Sequence, residues 1–134
     1  MNNKNVSKYI LASLLLFSNV VLAKNNVAMC ETKMDTLSEV SRCLDGTKVK
    51  KDRELQTWVN NQIFILEELA AHNGRRTSLD MFKRSQRNFI SYRENNCRWQ
   101  YLVVAPDEGA AIAYKKCYIT LTQYRIEELT HLNK

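Results

Sequence analysis

The stretch that decides the fold is residues 77–103, TSLDMFKRSQRNFISYRENNCRWQYLV. It contains no glycine or proline, and Thr77 or Ser78 is a suitable N-cap because a hydroxyl can accept from a free backbone N–H of the first turn. The stretch therefore predicts one amphipathic helix that ends at about Val103. One side of that helix carries residues at steps of three or four: Leu79, Phe82, Gln86, Phe89, Arg93, Cys97 and Tyr101.

The same reasoning, extended outward, predicts three further helices. The chain has only three glycines and one proline, and no segment alternates apolar and polar residues over the length of a strand. The predicted helices cover about residues 32–44, ending at Asp45-Gly46; 49–72, ending at Asn73-Gly74; and 107–132, beginning at Asp107-Glu108 after Pro106. Joined by short loops, they form an all-α, small antiparallel helical bundle.

Four cysteines lie in the predicted bundle: Cys30, Cys43, Cys97 and Cys117. Two interpretations are open, a pair of disulfides or a zinc site. Zinc ligands usually include a C-x-x-C pair, and this chain has none. In a small exported chain four cysteines favour two disulfides, so we predict that two disulfides crosslink the fold. No metal or other cofactor is expected.

The pairing of the cysteines follows from the helical hairpin. With Ala105 at the tip, Cys97 lies eight residues before it and Cys117 twelve residues after it, which brings the two to similar heights. Cys30 and Cys43 remain for the second disulfide. That pair requires the segment before the first predicted helix to fold back, because thirteen helical steps span ~20 Å and a disulfide tolerates only about 4.4–6.8 Å between Cα atoms.

The amino terminus has the three-part layout of a secretory signal peptide. Lys4 and Lys8 precede an uncharged run over residues 9–22, and small residues stand one and three positions before a cut at Lys24. We expect residues 1–23 to be cleaved, which leaves residues 24–134 as a single domain. Since two lysines leave with the signal, the charge falls from +6 to +4. The expected location is the periplasm or the medium.

Two other interpretations of this terminus are less favoured. A retained membrane anchor would need about 20 apolar residues, and the run has only 14. A lipidated Cys30, in the sequence Val27-Ala28-Met29-Cys30, would put the bulky Met29 where a small residue is usual. It would also leave one cysteine without a partner in an oxidising compartment. We therefore expect a protein that is not anchored to the membrane after processing.

Gln86 and Arg93 interrupt the apolar stripe around Phe89, and Arg125 continues a similar line on the last helix. They form either a recognition patch or an interior polar network. Buried polar groups persist only when they are paired, which favours the network. In that network Gln86 would bond to the backbone and Arg93 would organise the two C-terminal helices. Candidate acids for Arg93 are Glu94, Asp52 and Glu128.

The sequence carries no recognisable catalytic centre, and we do not expect an enzyme. No hydrolase, zinc-protease or nucleotide-binding motif occurs, and His72 and His131 each lie near a predicted helix C-terminus, where an imidazolium is favoured anyway. A hydrolase with two carboxylates is the least favoured reading, because the adjacent acids Glu67-Glu68 and Glu127-Glu128 diverge on their helices.

Basic residues cluster before and within the long helices, but they do not indicate a nucleic-acid-binding protein. The clusters are Lys48, Lys50, Lys51 and Arg53, then Arg75-Arg76, then Lys83, Arg84 and Arg87. An exported protein seldom meets nucleic acid, and a net charge of +4 is mild. Anionic polymers of the cell envelope are the more suitable partners for such a surface.

Motifs in the last two helices resemble those of the LprI-type lysozyme inhibitor family. The family pattern is approximately A-Q-x-x-W-x-x-Y-R-D-x-x-C, then G-G-S, A-Y-x-x-C and R-x-x-x-L. The matching residues are Ser85-Gln86, Phe89, Tyr92-Arg93-Glu94, Cys97, Glu108-Gly109-Ala110, Ala113-Tyr114, Cys117, Thr122, Arg125 and Leu129. Cys30 and Cys43 match the family's first cysteine pair, and Asp52 to Gln56 is similar to its D-x-x-L-N segment.

Four departures from that pattern bear on packing or on binding. Phe89 replaces tryptophan, Glu94 replaces aspartate and Gln56 replaces asparagine, all conservative in packing. The fourth, Glu108-Gly109-Ala110 in place of Gly-Gly-Ser, changes a loop that could face a partner.

The resemblance implies an exported helical protein that binds another protein. That partner would be lysozyme or a related peptidoglycan hydrolase, which the chain would inhibit. The alternative is a cell-envelope accessory or immunity module that binds another protein without inhibiting lysozyme. Asp107 and Glu108, beside the turn-forming Pro106, are the candidate partner-binding residues. Both acids could instead serve only the N-terminus of the last helix.

Overall fold

The computed structural model describes residues 25–133, and over these residues the protein is all-α, as the sequence predicts. Four helices follow one another: α1 (Asn25–Lys33), α2 (Leu37–Asn73), α3 (Arg76–Val104) and α4 (Ala110–Leu132). Within the described range there is no strand, and no helix is long and apolar enough to cross a membrane. The predicted signal peptide, residues 1–23, lies outside the described residues.

The three long helices pack as an up-down-up bundle, in which α3 is antiparallel to its two neighbours and α4 runs parallel to α2. Near the start of α4, Lys115 Nζ donates to Asp45 Oδ2 of α2 at 2.7 Å. Just after its end, Asn133 Nδ2 donates to Gln62 Oε1 of α2 at 3.2 Å. The short helix α1 folds back on the start of α2.

Two disulfides staple this bundle, and their pairing agrees with the hairpin geometry. Cys97 of α3 is bonded to Cys117 of α4, with 5.4 Å between their Cα atoms. Cys30 of α1 is bonded to Cys43 of α2, with 5.6 Å between their Cα atoms. The second bond is possible because the chain turns between α1 and α2, which brings together two residues that one continuous helix would separate.

The core consists of two apolar clusters separated by a polar layer. The cluster near α1 contains Cys30, Val40, Leu44 and Ile119. The second, further along α2 and α4, contains Leu55, Val59, Ile126 and Leu129, with Trp58, Ile63, Phe82 and Phe89 packed against it. Asp52 of α2 and Thr122 of α4 lie between the clusters in sequence, and together with Tyr118 of α4 and Arg93 of α3 they form the polar layer.

The predicted helix end at Asp45-Gly46 is wrong, because α2 continues through both residues to Asn73. A glycine inside a helix costs only about 1 kcal/mol relative to alanine. Leu44 and Thr47, on either side of Gly46, are both buried, and their packing outweighs that cost. The break predicted at Asn73-Gly74 is confirmed: Gly74 has φ of 70°, in the left-handed region, and its N–H donates to Ala70 O at 3.0 Å.

The first break in the chain lies earlier than predicted, between α1 and α2. Thr36 is the N-cap of α2: its Oγ1 accepts from Glu39 N at 3.2 Å, and its N donates to Glu39 Oε2 at 3.1 Å. This reciprocal pair is a capping box. The hydrogen bonds from Thr36 to the Glu39 carboxylate hold the pKa of that carboxyl below its ordinary value.

Two predicted helix starts also differ from the structure. The N-cap of α3 is Arg75, which makes no side-chain cap, and Ser78 Oγ instead donates to Arg75 O at 2.8 Å. Helix α4 begins at Ala110, so Asp107 and Glu108 lie in the turn before it and its first turn contains no acid. The backbone groups of the turn at Pro106 form hydrogen bonds with one another, and α4 therefore begins three residues later than predicted.

Candidate functional site

Arg93 lies at the centre of the bundle. The residue is buried, and its Nη1 donates to Thr122 Oγ1 at 2.8 Å and to Asp52 Oδ1 at 3.3 Å. Its guanidinium carbon lies 3.8 Å from the centroid of the Tyr118 ring and 5.4 Å from that of Phe89. A planar guanidinium can stack on an aromatic ring and bond at its edges simultaneously. Arg93 therefore joins α2, α3 and α4 through one side chain.

Of the three acids considered for Arg93, the partner is Asp52. That carboxylate also accepts from Tyr118 Oη at 3.0 Å and pairs with Lys48 Nζ at 3.6 Å. Burial, reinforced by the Asp52 carboxylate and opposed by the positive charge of Arg93, raises the pKa of Tyr118 to about 12. The phenol therefore stays protonated at neutral pH and acts as a donor.

Glu94 and Glu128 have other partners. Glu94 Oε2 accepts from Tyr114 Oη at 2.6 Å, and burial followed by this bond raises the pKa of Tyr114 to about 12. Glu128 Oε2 accepts from Arg125 Nη1 at 2.6 Å, one turn away on the same helix. The family-like motif residues Glu94 and Tyr114 thus bond to each other across the α3–α4 pair, whereas the Arg125–Glu128 bond lies within α4.

Arg125 and Gln86 form a second polar contact between α3 and α4. Arg125 is buried, and its Nε donates to the side-chain Oε1 of the half-buried Gln86 at 3.2 Å. Its Nη2 lies 3.4 Å from Ser85 Oγ. The expectation that Gln86 bonds to the backbone is therefore wrong, because the Arg125 guanidinium occupies its amide oxygen. The guanidinium is within 6 Å of the ring centroids of Phe82 and Phe89.

The structure thus places the predicted polar residues inside the bundle, where Arg93 Nη1 and the Arg125 guanidinium donate to neighbouring side chains, whereas the buried Arg93 Nε has no partner among the described residues. The α3–α4 interface is also fixed by the Cys97–Cys117 disulfide. Asn96 Nδ2 and Gln100 Nε2 lie 3.6 and 3.3 Å from Cys117 Sγ, as donors. A hairpin held at so many points presents its outer surface with little freedom, which is a requirement for binding without a large ordering cost.

The tip of this hairpin, residues 104–109, is short and closed by backbone hydrogen bonds. Asp107 N donates to Val104 O at 3.1 Å, and Ala110 N donates to Asp107 O at 3.0 Å. Asp107 and Glu108 are exposed, and within residues 25–133 neither forms an ion pair or a side-chain hydrogen bond. Both predicted partner-binding carboxylates are therefore available to another molecule.

Beside the tip lies an open groove of about 540 Å³ between α3 and α4. Its lining includes Asn96 and Gln100 of α3, and Cys117, Thr120 and Leu121 of α4. Trp99 is exposed, and its Nε1 donates at 3.2 Å to Oδ1 of Asn96, which lines the groove. The sequence reasoning missed Trp99, because it followed only the buried stripe of α3. Tyr92, Trp99 and Val103 are apolar residues outside that stripe, and this pattern was the feature of the sequence that pointed to Trp99.

The described residues include no group of three or more histidine, cysteine, aspartate or glutamate side chains that could hold a metal ion. All four cysteines are in disulfides. The groups that reach the surface of the hairpin are carboxylates, amides and aromatic rings together with cations such as Arg84, Arg87 and Arg98, a mixture suited to recognition.

Comparison with protein families gives a match over most of the chain. The family model described as "Lysozyme inhibitor LprI" matches residues 29–129. This segment contains both disulfides, the Arg93 and Arg125 contacts and the hairpin tip. Comparison with curated proteins and with solved structures returned no match.

Proposed function

Because the chain belongs to the LprI lysozyme inhibitor family, we propose that it is an exported binding protein that inhibits lysozyme or a related peptidoglycan hydrolase. The observation that carries the proposal is the extent of the match, which includes the α3–α4 hairpin as far as Leu129, with its disulfide and its exposed tip. A rigid, disulfide-fixed projection suits an inhibitor, which acts by occupying a site and performs no chemistry itself.

The hairpin tip is the proposed point of contact, through Asp107 and Glu108. Animal lysozymes are basic, and a protein with a net charge of +4 after processing gains no long-range attraction toward them. The attraction must then be local. Two exposed carboxylates without partners in the described part of the chain supply it, on a turn whose backbone is already ordered.

The test is a lysozyme turbidity assay with the purified processed protein and two variants of equal charge. Asp107→Ser with Glu108→Ser removes the tip carboxylates. Glu67→Ser with Glu68→Ser removes two exposed carboxylates of α2, of which only Glu67 is in a surface ion pair, with Lys83 at 3.5 Å. Such an exposed pair contributes little to stability. We expect the tip variant to inhibit at least about tenfold more weakly and the α2 variant to match the unmutated protein.

Each outcome is interpretable when the helical circular dichroism and melting temperature of the variants are unchanged. Full inhibition by the tip variant would exclude the tip as the anionic anchor. An unmutated protein that inhibits no animal or bacterial muramidase would contradict lysozyme inhibition. That result would favour the alternative, an envelope accessory or immunity module that binds another protein.

We also propose that residues 1–23 direct export and are removed, so that the protein works in the periplasm or outside the cell. The two disulfides support this proposal, because disulfides persist in oxidising compartments. The intact mass of the exported protein should correspond to a chain that begins at Lys24. An added acyl mass on Cys30 would contradict it.

A further inference from the structure

Beside the hairpin tip, large apolar side chains are exposed on one edge of the α3–α4 pair. On α3 these are Tyr92, Trp99 and Val103, which are 55, 54 and 74% exposed. Their spacing of seven and four residues puts them on one side of the helix, away from the buried Arg93 and Cys97. On α4, Tyr124 is 61% exposed, one turn beyond Leu121 of the groove. We call these four residues the Trp99 face.

The Trp99 face has the composition of an interface centre. Between its apolar members, the same edge of α3 carries the uncharged residues Asn95 and Asn96, and the one lysine that lines the adjoining groove, Lys116, is paired with Glu31. Protein interfaces are depleted of charge at their centre and enriched in tryptophan and tyrosine, which also dominate the binding energy. Contiguous exposed apolar surface on a protein of this size usually marks a binding site.

Trp99 is also held in place before any partner arrives. Its indole N–H is bonded to Asn96 Oδ1, and the amide nitrogen of Asn96 lies 3.6 Å from the Cys117 sulfur of the α3–α4 disulfide. The side chain is thereby connected, through Asn96, to the disulfide that joins α3 to α4. An ordered aromatic anchor loses little conformational freedom on binding.

The charge around the face indicates what kind of molecule it fits. Asp107 and Glu108 follow Val103 by four and five residues, so an apolar surface adjoins two free carboxylates. The complement is a protein whose apolar patch is bordered by lysine or arginine. We infer that the Trp99 face is the main docking surface for the cationic muramidase of the proposed function, on which this inference rests. The apolar face sets how long the complex lasts, and the tip carboxylates set how fast it forms.

The experiment measures association and dissociation rates of an animal lysozyme and of bacterial muramidases on the immobilised processed protein. Trp99→Ala and Val103→Ser alter the face. Phe64→Ala and Val49→Ser are matched controls on α2, where those residues are 58 and 48% exposed. Unchanged melting temperatures establish that all four variants are folded. A parallel experiment titrates soluble oligomers of N-acetylglucosamine into the protein and follows tryptophan fluorescence. It is needed because aromatic rings beside amide groups also bind sugars.

We expect Trp99→Ala to bind at least about tenfold more weakly through faster dissociation, with the α2 controls unchanged. The tip variant should mainly slow association, because the loss of two carboxylates makes the processed protein more positive and increases its repulsion from a cationic partner. If the unmutated protein binds a muramidase and Trp99→Ala binds equally well, the Trp99 face is excluded and the proposed function stands. If the unmutated protein binds no muramidase, the proposed function fails, and the inference with it. Trp99-dependent binding of the oligomers alone would make the face a glycan site and overturn the inference.

Discussion

The guanidinium of Arg93 meets Thr122, Asp52 and the ring of Tyr118, and these partners come from two other helices. Its burial could be expected from the sequence, because Arg93 shares the stripe of Phe89 and Cys97. The acid that pairs with Arg93 could not be predicted, because Glu94, Asp52 and Glu128 would each lie within reach of Arg93 in some arrangement of the helices. The choice of Asp52 depends on how α2 is placed against α3, which is a property of the whole bundle.

Arg93→Ala should lower the free energy of unfolding by roughly 2–3 kcal/mol, the loss of hydrogen bonds to a charged group together with their packing. The loss is limited because Asp52 is half-exposed and keeps Tyr118 Oη and Lys48 as partners. Thermal denaturation should show a fall in melting temperature of about 10 °C or more. Arg93→Lys keeps the charge but loses the planar stacking, so the melting temperature of this variant should fall less. An unchanged melting temperature for Arg93→Ala would show that the network does not stabilise the fold.

At the scale of helices, the glycines were only partly informative. Gly74 ends α2 as predicted, whereas Gly46 lies within α2. Both are preceded by a residue that commonly ends helices, so the local sequences look alike. The difference is tertiary: Leu44 and Thr47 flank Gly46 and are buried, whereas the residues around Gly74 are exposed. The number of long helices and the position of both hairpins could therefore be predicted, but not where each helix begins.

The two glycines provide a matched pair of substitutions, since an added Cβ would meet no atom within 4 Å at either position. Gly46→Ala should raise stability by about 0.5–1 kcal/mol, because alanine restricts the unfolded chain and suits a helix interior. Gly74→Ala should lower stability by roughly 1–2 kcal/mol, because φ of 70° is strained for any residue with a Cβ. Urea denaturation measures both. A destabilising Gly46→Ala would mean that α2 is not continuous at this point in solution.

At the scale of the molecule, the bundle consists of two small apolar clusters with a polar layer between them. A domain of this size has a small stability margin, so covalent bonds contribute a large share of it. The two disulfides have different positions in this arrangement. Cys30–Cys43 attaches α1 to α2, whereas Cys97–Cys117 fixes the two helices that carry the proposed binding surface. Stability and recognition should therefore respond differently to the loss of each bond.

The last prediction follows from this difference. The disulfides close loops of 13 and 20 residues, so replacing either pair by serines should cost about 3 kcal/mol, measured by thermal denaturation. At a temperature where both variants remain folded, the variant without Cys97–Cys117 should inhibit muramidase less well, because the tip and Trp99 lose their anchor and must be ordered on binding. The variant without Cys30–Cys43 is the control and should keep its inhibition, since its lost bond joins neither α3 nor α4. Equal inhibition by the two folded variants would show that Arg93, Arg125 and the surrounding packing hold the hairpin without the disulfide.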